Sequence, residues 1–192
     1  MSVPRDLADL DWPVLTQRLS IRPAVPADAP AMYAYRGREA VAHWLTTWPQ
    51  NLQEWERHLA GRINNQLVVE RDGVVIGDLQ LDVRDPWSQL EVKEQAAGTV
   101  AEIGYVFDPG YAGQGYATEA GQALLRIAFE GVGVRRVIAQ CSADNQPSWR
   151  LIERLGMRRE ELSVKAELHR SGVWVDAMTY ALLRDEWLTS TD

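Results

Sequence analysis

The chain is short of most of the features that would take it out of the ordinary globular class. It holds a single cysteine, Cys141, which excludes an intramolecular disulfide framework and fits a reducing, cytoplasmic setting. No apolar run approaches the ~20 residues that cross a bilayer, so no membrane association is expected. The opening residues MSVPRDLADLDWPV lack a basic stretch followed by an apolar core, which predicts no secretory leader. His43, His58 and His169 lie too far apart for metal-ligand spacing, and no metal is expected. Excess positive charge is missing as well. A net charge of −7 argues against nucleic-acid binding, which rests on neutralising phosphates. Repeats, low-complexity tracts and linkers are absent, so the 192 residues read as one soluble domain, 1–192, large enough to bury a real core.

What is present alternates between strand and helix signals. Leu19-Ser-Ile-Arg22 alternates apolar and polar before Pro23 and predicts a short strand. Pro26-Ala-Asp28 opens a helical stretch to about Arg38, and Asn51 is placed to cap a helix running to Asn64. Between Leu67 and Leu81 two apolar runs flank Asp72-Gly73, a strong hairpin signal, with Gly77 marking a bulge or a close backbone approach. The polar stretch 85–98 reads as a loop with room for a short helix. Arg136–Cys141 is a further strand, and Asn145-Gln-Pro-Ser148 opens a helix that ends at Gly156. Two strands joined at Arg170-Ser-Gly172 and a frayed tail after Asp185 complete the chain. The expected fold is α/β (α+β): a mixed, mostly antiparallel twisted sheet of about seven strands flanked by helices.

Residues 101–120, AEIGYVFDPGYAGQGYATEA, carry the chemistry. A β-forming run with Glu102 as its lone charge leads through Asp108-Pro109-Gly110 into a glycine-rich loop and a helix from Tyr116 to about Phe129. Gly113 and Gly115 let backbone pass close to a ligand, and the following helix start offers unpaired N–H groups suited to phosphate. A Rossmann fingerprint would need a third glycine where Thr118 stands, and a P-loop would need Gly-Lys-Ser/Thr.

At Gly113-Gln-Gly115-Tyr-Ala117-Thr-Glu119 the sequence resembles the acyl-CoA-binding signature of the GNAT superfamily of N-acetyltransferases. Ala101-Glu-Ile-Gly-Tyr105 looks like that family's central strand. Asn145 to Leu155-Gly156-Met157 resembles its Asn…Ser…Leu-Gly-Phe helix, with Met157 for Phe. Gly172 to Trp187 is similar to the closing strands of the ribosomal-protein N-terminal acetyltransferase (Rim-type) branch. The likeness covers about residues 17–187. It departs from the pattern at Ala112, where the family carries Gln or Arg, and at Ile152, where many members place a catalytic tyrosine; the Rim branch has a serine one turn earlier, where Ser148 stands.

The resemblance implies acetyl-CoA as cofactor and transfer of its acetyl group to a primary amine, a protein N-terminus or a small molecule, by direct attack in a ternary complex. Glu102 would be the base and Ser148 the group that serves the departing thiolate. A hydroxyl is a poor acid, so Ser148 would hydrogen-bond the sulfur or relay a water's proton. Ile103, Tyr105, Val106 and Phe107 would line the pantetheine arm, with a Tyr105 or Val106 N–H meeting the oxyanion and Gly104 marking a bulge. Gly113, Gln114, Gly115, Tyr116, Ala117 and Thr118 would hold the pyrophosphate, and Asn145 the pantetheine. Each role has a plainer counterpart: Glu102 as an outward strand residue, Asn145 as a helix cap, Ser148 as a first-turn residue. Trp44, Trp48 and Trp55 are either core filler or the wall of an acceptor cleft. Cys141 reads as a small buried hydrophobe. A homodimer is one admissible assembly, and a non-catalytic acyl-CoA sensor is the alternative to an enzyme.

Overall fold

The computed structural model describes residues 4–191 and has mixed α/β architecture. Its strands are β1 (Val14–Leu15), β2 (Ser20–Pro23), β3 (Gln66–Arg71), β4 (Val74–Arg84), β5 (Val100–Phe107), β6 (Arg136–Ser142), β7 (Arg158–Leu168) and β8 (Trp174–Leu183). Their order is β1-β2-β3-β4-β5-β6-β8-β7. The β5–β6 pair is parallel, while β1–β2, β2–β3, β3–β4, β6–β8 and β7–β8 are antiparallel. Among the described residues eight strands stand where about seven were expected. The extra one, β1, has two residues, too few for any periodicity to announce it.

The chain divides into two compact units, and the division falls within β5, between Ile103 and Gly104. One unit comprises residues 5–81 and 104–124. It holds α1 (Ala29–Arg36), α2 (Glu39–Ala42), α3 (Leu52–Ala60), the β1–β4 ladder and the glycine-rich loop. Asn51 caps α3, its side chain accepting from the Glu54 N–H. Asp72 and Gly73 both take positive φ, as a type I′ hairpin turn demands. Both readings of Gly77 hold, since the β3–β4 register shifts between the Val69–Gly77 and Glu70–Val75 pairs. A Cβ there would lie 2.5 Å from Cδ1 of Phe107 and 2.8 Å from the Val106 carbonyl oxygen, so only glycine lets these backbones come together.

The core of this unit contains a fully buried carboxylate. Asp78 accepts hydrogen bonds from Tyr35 Oη (2.7 Å), Arg36 Nε (2.9 Å), Arg36 Nη2 (2.5 Å) and Gln66 Nε2 (2.6 Å). Burial and the Asp78 charge push the Tyr35 phenol well above its usual range, so it stays a donor. The Arg36 guanidinium also lies 4.6 Å over the Trp55 ring.

The other unit comprises, among the described residues, Pro4, 82–103 and 125–191. In it β5 contributes Val100–Ile103 to a parallel ladder with β6, which pairs in turn with β8. A short helix, α4 (Lys93–Ala96), forms in the 85–98 loop, and α6 (Gln146–Arg154) follows Asn145. Two boundaries differ from expectation. The helix α5 (Tyr116–Arg126) continues as a π-helical turn, Ile127–Val132, rather than stopping at Phe129. The tail expected to fray forms α7 (Arg184–Thr191), where Trp187 stacks on Phe129 at 5.4 Å and anchors a polar segment.

Replacing Asp78 by Ala would leave the Arg36 charge buried and unpaired. We expect a loss of about 3–5 kcal/mol in stability, measured by denaturant unfolding. A loss under about 1 kcal/mol would show that the network contributes little.

Candidate active site

The glycine-rich loop begins after β5 with Asp108, whose side chain accepts from the Gly110 N–H (2.9 Å) and is itself bound by Arg38 (2.8 Å). The N–H groups of Tyr111 and Ala112 close a short 3₁₀ turn by donating to the carbonyls of Asp108 and Pro109. From Gly113 the backbone changes character. Gly113 has φ +75° and Gly115 φ +82°, and space around Gly113 is open to 4 Å. Among the described residues, the Gly113, Gln114 and Gly115 amides have no backbone acceptor. They join the orphan N–H groups of the first turn of α5, a concave run of donors of the kind that holds phosphate. The residues present therefore fit the pyrophosphate of acetyl-CoA, with backbone as the recognising surface.

This seat is tied from behind by the turn between β1 and β2. Glu119, in the first turn of α5, accepts from Thr16 Oγ1 (2.6 Å), the Arg18 N–H (2.8 Å) and Arg18 Nε (2.7 Å), and pairs with Arg18 Nη2 at 2.7 Å. Arg18 Nη1 donates to the Gln114 carbonyl at 2.9 Å, and its guanidinium lies 4.5 Å over the Tyr116 ring. Desolvation alone would raise the Glu119 pKa. The hydrogen bonds from Thr16 and Arg18 outweigh it and hold the carboxyl below its usual range. A depressed carboxyl stabilises the fold above its ordinary pKa, and that contribution is lost as pH falls through the folded value.

The remaining candidates occupy the other unit. Glu102 is half-buried and forms an ion pair with Arg84 Nη2 at 2.6 Å. Asn145 caps α6 by accepting from the Ser148 N–H at 3.3 Å, its plainer role. Ser148 also hydrogen-bonds Cys141. Burial is the larger effect and pushes the Cys141 thiol up to about 11, although the Ser148 hydroxyl opposes the shift. Ile152, the alternative to Ser148 on the same helix, is buried in the core. Ser148 is thus the polar group that α6 presents beside a sulfur. Nearby, Tyr180 Oη donates to Glu153 Oε1 at 3.1 Å, and burial and that carboxylate push the phenol up to about 12.

Strand register separates the two catalytic candidates. Glu102 pairs with Ile138, which pairs with Ala181, whereas Cys141 pairs with Met178. Ile138 and Cys141 are three residues apart on one strand and point to opposite faces. Glu102 therefore shares a face with Val100, Ile138 and Ala181, a small buried cluster, and Ser148 meets Cys141 on the other.

The tryptophans do not act together. Trp55 is 0% exposed beneath Arg36 and cannot line an open cleft, which corrects its place among the acceptor-binding residues. Trp48 is half-buried with its indole N–H donating to the Gly37 carbonyl, and Trp44 is 41% exposed. Sequence reasoning missed Arg18, Thr16 and Arg84. No local signal pointed to them, because each meets its carboxylate from a distant part of the sequence.

Residues 18–158, most of the chain, match the acetyltransferase (GNAT) domain family. The chain belongs to the GNAT family. It is accordingly an acetyl-CoA-dependent N-acyltransferase, and the non-catalytic sensor gives way to an enzyme. It is similar to the uncharacterized N-acetyltransferase YnaD of Bacillus subtilis, 43% identical over 86 residues, 45% of this chain and 50% of that one. It is similar in structure to a GNAT-family acetyltransferase from Bacillus anthracis, with TM-score 0.77 and 28% identity over 91% of this chain and 100% of that one. RimL, a ribosomal L7/L12 α-N-protein acetyltransferase in complex with coenzyme A, shares the fold at TM-score 0.76 and 23% identity, over 90% and 98% of the two chains. Among the described residues no cluster of metal ligands occurs, and no helix is long and apolar enough to cross a membrane.

The raised Cys141 pKa has a direct consequence. Alkylation of Cys141 by iodoacetamide should be slow at pH 7.5 and rise toward a half-maximal rate near pH 11, followed by mass spectrometry. Rapid labelling at neutral pH would mean that the thiol is activated.

Proposed function

We propose that this GNAT enzyme acetylates α-amino groups, of a peptide or protein N-terminus or an amino-acid-like molecule, by direct attack on acetyl-CoA in a ternary complex. The observation that carries this reading is the 2.6 Å ion pair between Arg84 and Glu102. The guanidinium occupies Oε2 of the carboxylate and so competes for the lone pairs that would accept a proton. Glu102 is then a proton acceptor already partly occupied by Arg84. An α-amino group, with pKa near 8, is about one-tenth neutral at pH 7 and needs little help, whereas a lysine amine near 10.4 needs a great deal. RimL, named as an α-N-protein acetyltransferase, is in line with that acceptor class.

In this reading the acceptor arrives as the neutral amine, and Glu102 only receives, through one water, the proton that the amine sheds after attack. A Tyr105 or Val106 N–H holds the developing oxyanion. The parallel ladder pairs Val100–Ile103 with Arg136–Ala139, and an extended arm would bond to the β5 backbone beyond Ile103. Gly113–Thr118 hold the pyrophosphate. Ser148 hydrogen-bonds the departing sulfur, and Asn145 fixes the start of α6 as well as the pantetheine. Cys141 takes no covalent part, since a thiol with pKa about 11 is ionised to roughly one part in ten thousand at pH 7. A cytoplasmic setting is supported by the lone cysteine.

Coenzyme A thiol release, followed across peptides with free α-amines, Nα-blocked lysine peptides and polyamines, tests the proposal. We expect turnover with α-amines, kcat/KM rising with pH along the acceptor's own ionisation, and only a few-fold loss in Glu102→Gln. Preference for lysine or polyamine acceptors, or a loss beyond about 100-fold in Glu102→Gln, would overturn it.

A further inference from the structure

We infer that Arg18 is a positioning residue for acetyl-CoA: it orients the Gln114–Gly115 peptide so that the Gly115 N–H faces the bound pyrophosphate. The inference rests on the reading of Gly113–Thr118 as the pyrophosphate seat. A trans peptide is planar, and its C=O and N–H point in opposite directions. Arg18 Nη1 holds the Gln114 carbonyl at 2.9 Å, so the N–H of Gly115 is directed away from Arg18.

Left alone, this peptide would have little reason to keep that orientation. Glycines flank Gln114 on both sides, each at positive φ, and glycine rotates between backbone wells at small cost. The family's polar side chain at the head of the loop is replaced by Ala112, which offers no bond of its own. Arg18 supplies the missing restraint from a distant part of the sequence. Three further contacts fix its own geometry. Glu119 binds Nε and Nη2, the Tyr116 ring lies beneath the guanidinium plane at 4.5 Å, and Thr16 closes the turn by accepting from the Leu19 N–H at 3.0 Å. A guanidinium is suited to this task. Its planar fork holds a carboxylate with two nitrogens and still directs a third at a carbonyl, which a lysine ammonium cannot do in fixed directions.

Because the Arg18 charge is matched by Glu119, its effect is one of orientation and not of charge attraction. Arg18→Ala should therefore weaken ligands that carry the pyrophosphate and spare those that lack it.

The test compares coenzyme A with pantetheine by calorimetry, and acetyl-CoA with S-acetylpantetheine as acetyl donors. In the wild type, coenzyme A should bind far more tightly than pantetheine. In Arg18→Ala, coenzyme A affinity and kcat/KM for acetyl-CoA should fall roughly ten-fold through Kd and KM, with kcat and both pantetheine measurements unchanged. Arg18→Lys should restore less than half of the lost binding energy. Equal losses with both donors would show a general structural defect and overturn the inference, as would an unchanged coenzyme A affinity in Arg18→Ala. If Arg18→Ala does not fold, Arg18→Lys carries the same comparison. If wild-type protein bound coenzyme A no better than pantetheine, the pyrophosphate seat itself would be wrong and the inference would fall with it.

Discussion

Asp78 is a carboxylate without solvent contact, and much of its unit is arranged to keep it paired. An ionised group in that position costs several kcal/mol unless its lone pairs are filled, and here two elements beside its own strand fill them. Tyr35 and Arg36 come from α1 and Gln66 from β3, so the helix cannot slide along the sheet without breaking bonds to a buried charge. Arg36 extends the constraint by lying over Trp55 of α3. The neighbouring residue transmits it forward. Gly77 admits Phe107 and the Val106 carbonyl at distances no side chain would permit, and the Asp108 N–H donates to the Ile76 carbonyl at 2.9 Å. The strand that would meet the pantetheine arm, and the first residue of the loop after it, are thereby placed by backbone contacts one residue away from the buried carboxylate.

Much of this was legible because the relevant signals are local. An Asp-Gly turn, an Asn cap three residues before a Glu, and a Pro within the first turn of α6 act within four residues of themselves, and each formed as its chemistry requires. The two loop glycines, singled out because they lack a Cβ, also adopt positive φ. What escaped is long-range. Thr16 and Arg18 meet Glu119 across about a hundred residues, and Arg84 meets Glu102 across a loop whose path no periodicity describes. The burial of Trp55 depends on an arginine from another helix. Its own helical stripe could not distinguish a core face from a cleft wall. The last helix, α7, is polar enough to read as a tail, and stacking of Trp187 on Phe129 decides otherwise.

The register of β6 gives the chemistry a spatial order. Accepting a proton from an amine and serving a departing thiolate are separate tasks, and the register assigns the two candidates to different faces. The candidate base Glu102 lies on one face of the sheet, and the candidate Ser148 meets Cys141 on the other. Arg84 already occupies one oxygen of the Glu102 carboxylate, and the hydroxyl of Ser148 is a poor donor. Modest assistance on both sides suits a reaction whose nucleophile is already partly neutral and whose leaving thiolate is intrinsically stable, which is the thioester–α-amine combination.

Loss of a polar side chain at Ala112 would be serious if the seat worked by charge. It need not, because the donors are amides, and an amide contributes only when its peptide plane is turned the right way. Orientation is an entropic matter: a loop with glycines on both sides of Gln114 samples many peptide orientations, and binding must select one of them. Arg18 makes that selection before the ligand arrives. Its charge is cancelled by Glu119, so the protein gains a defined donor array without adding a fixed positive site to an acidic chain. The strength of such a seat resides in the β1–β2 turn behind the loop, where no motif for phosphate binding would be sought.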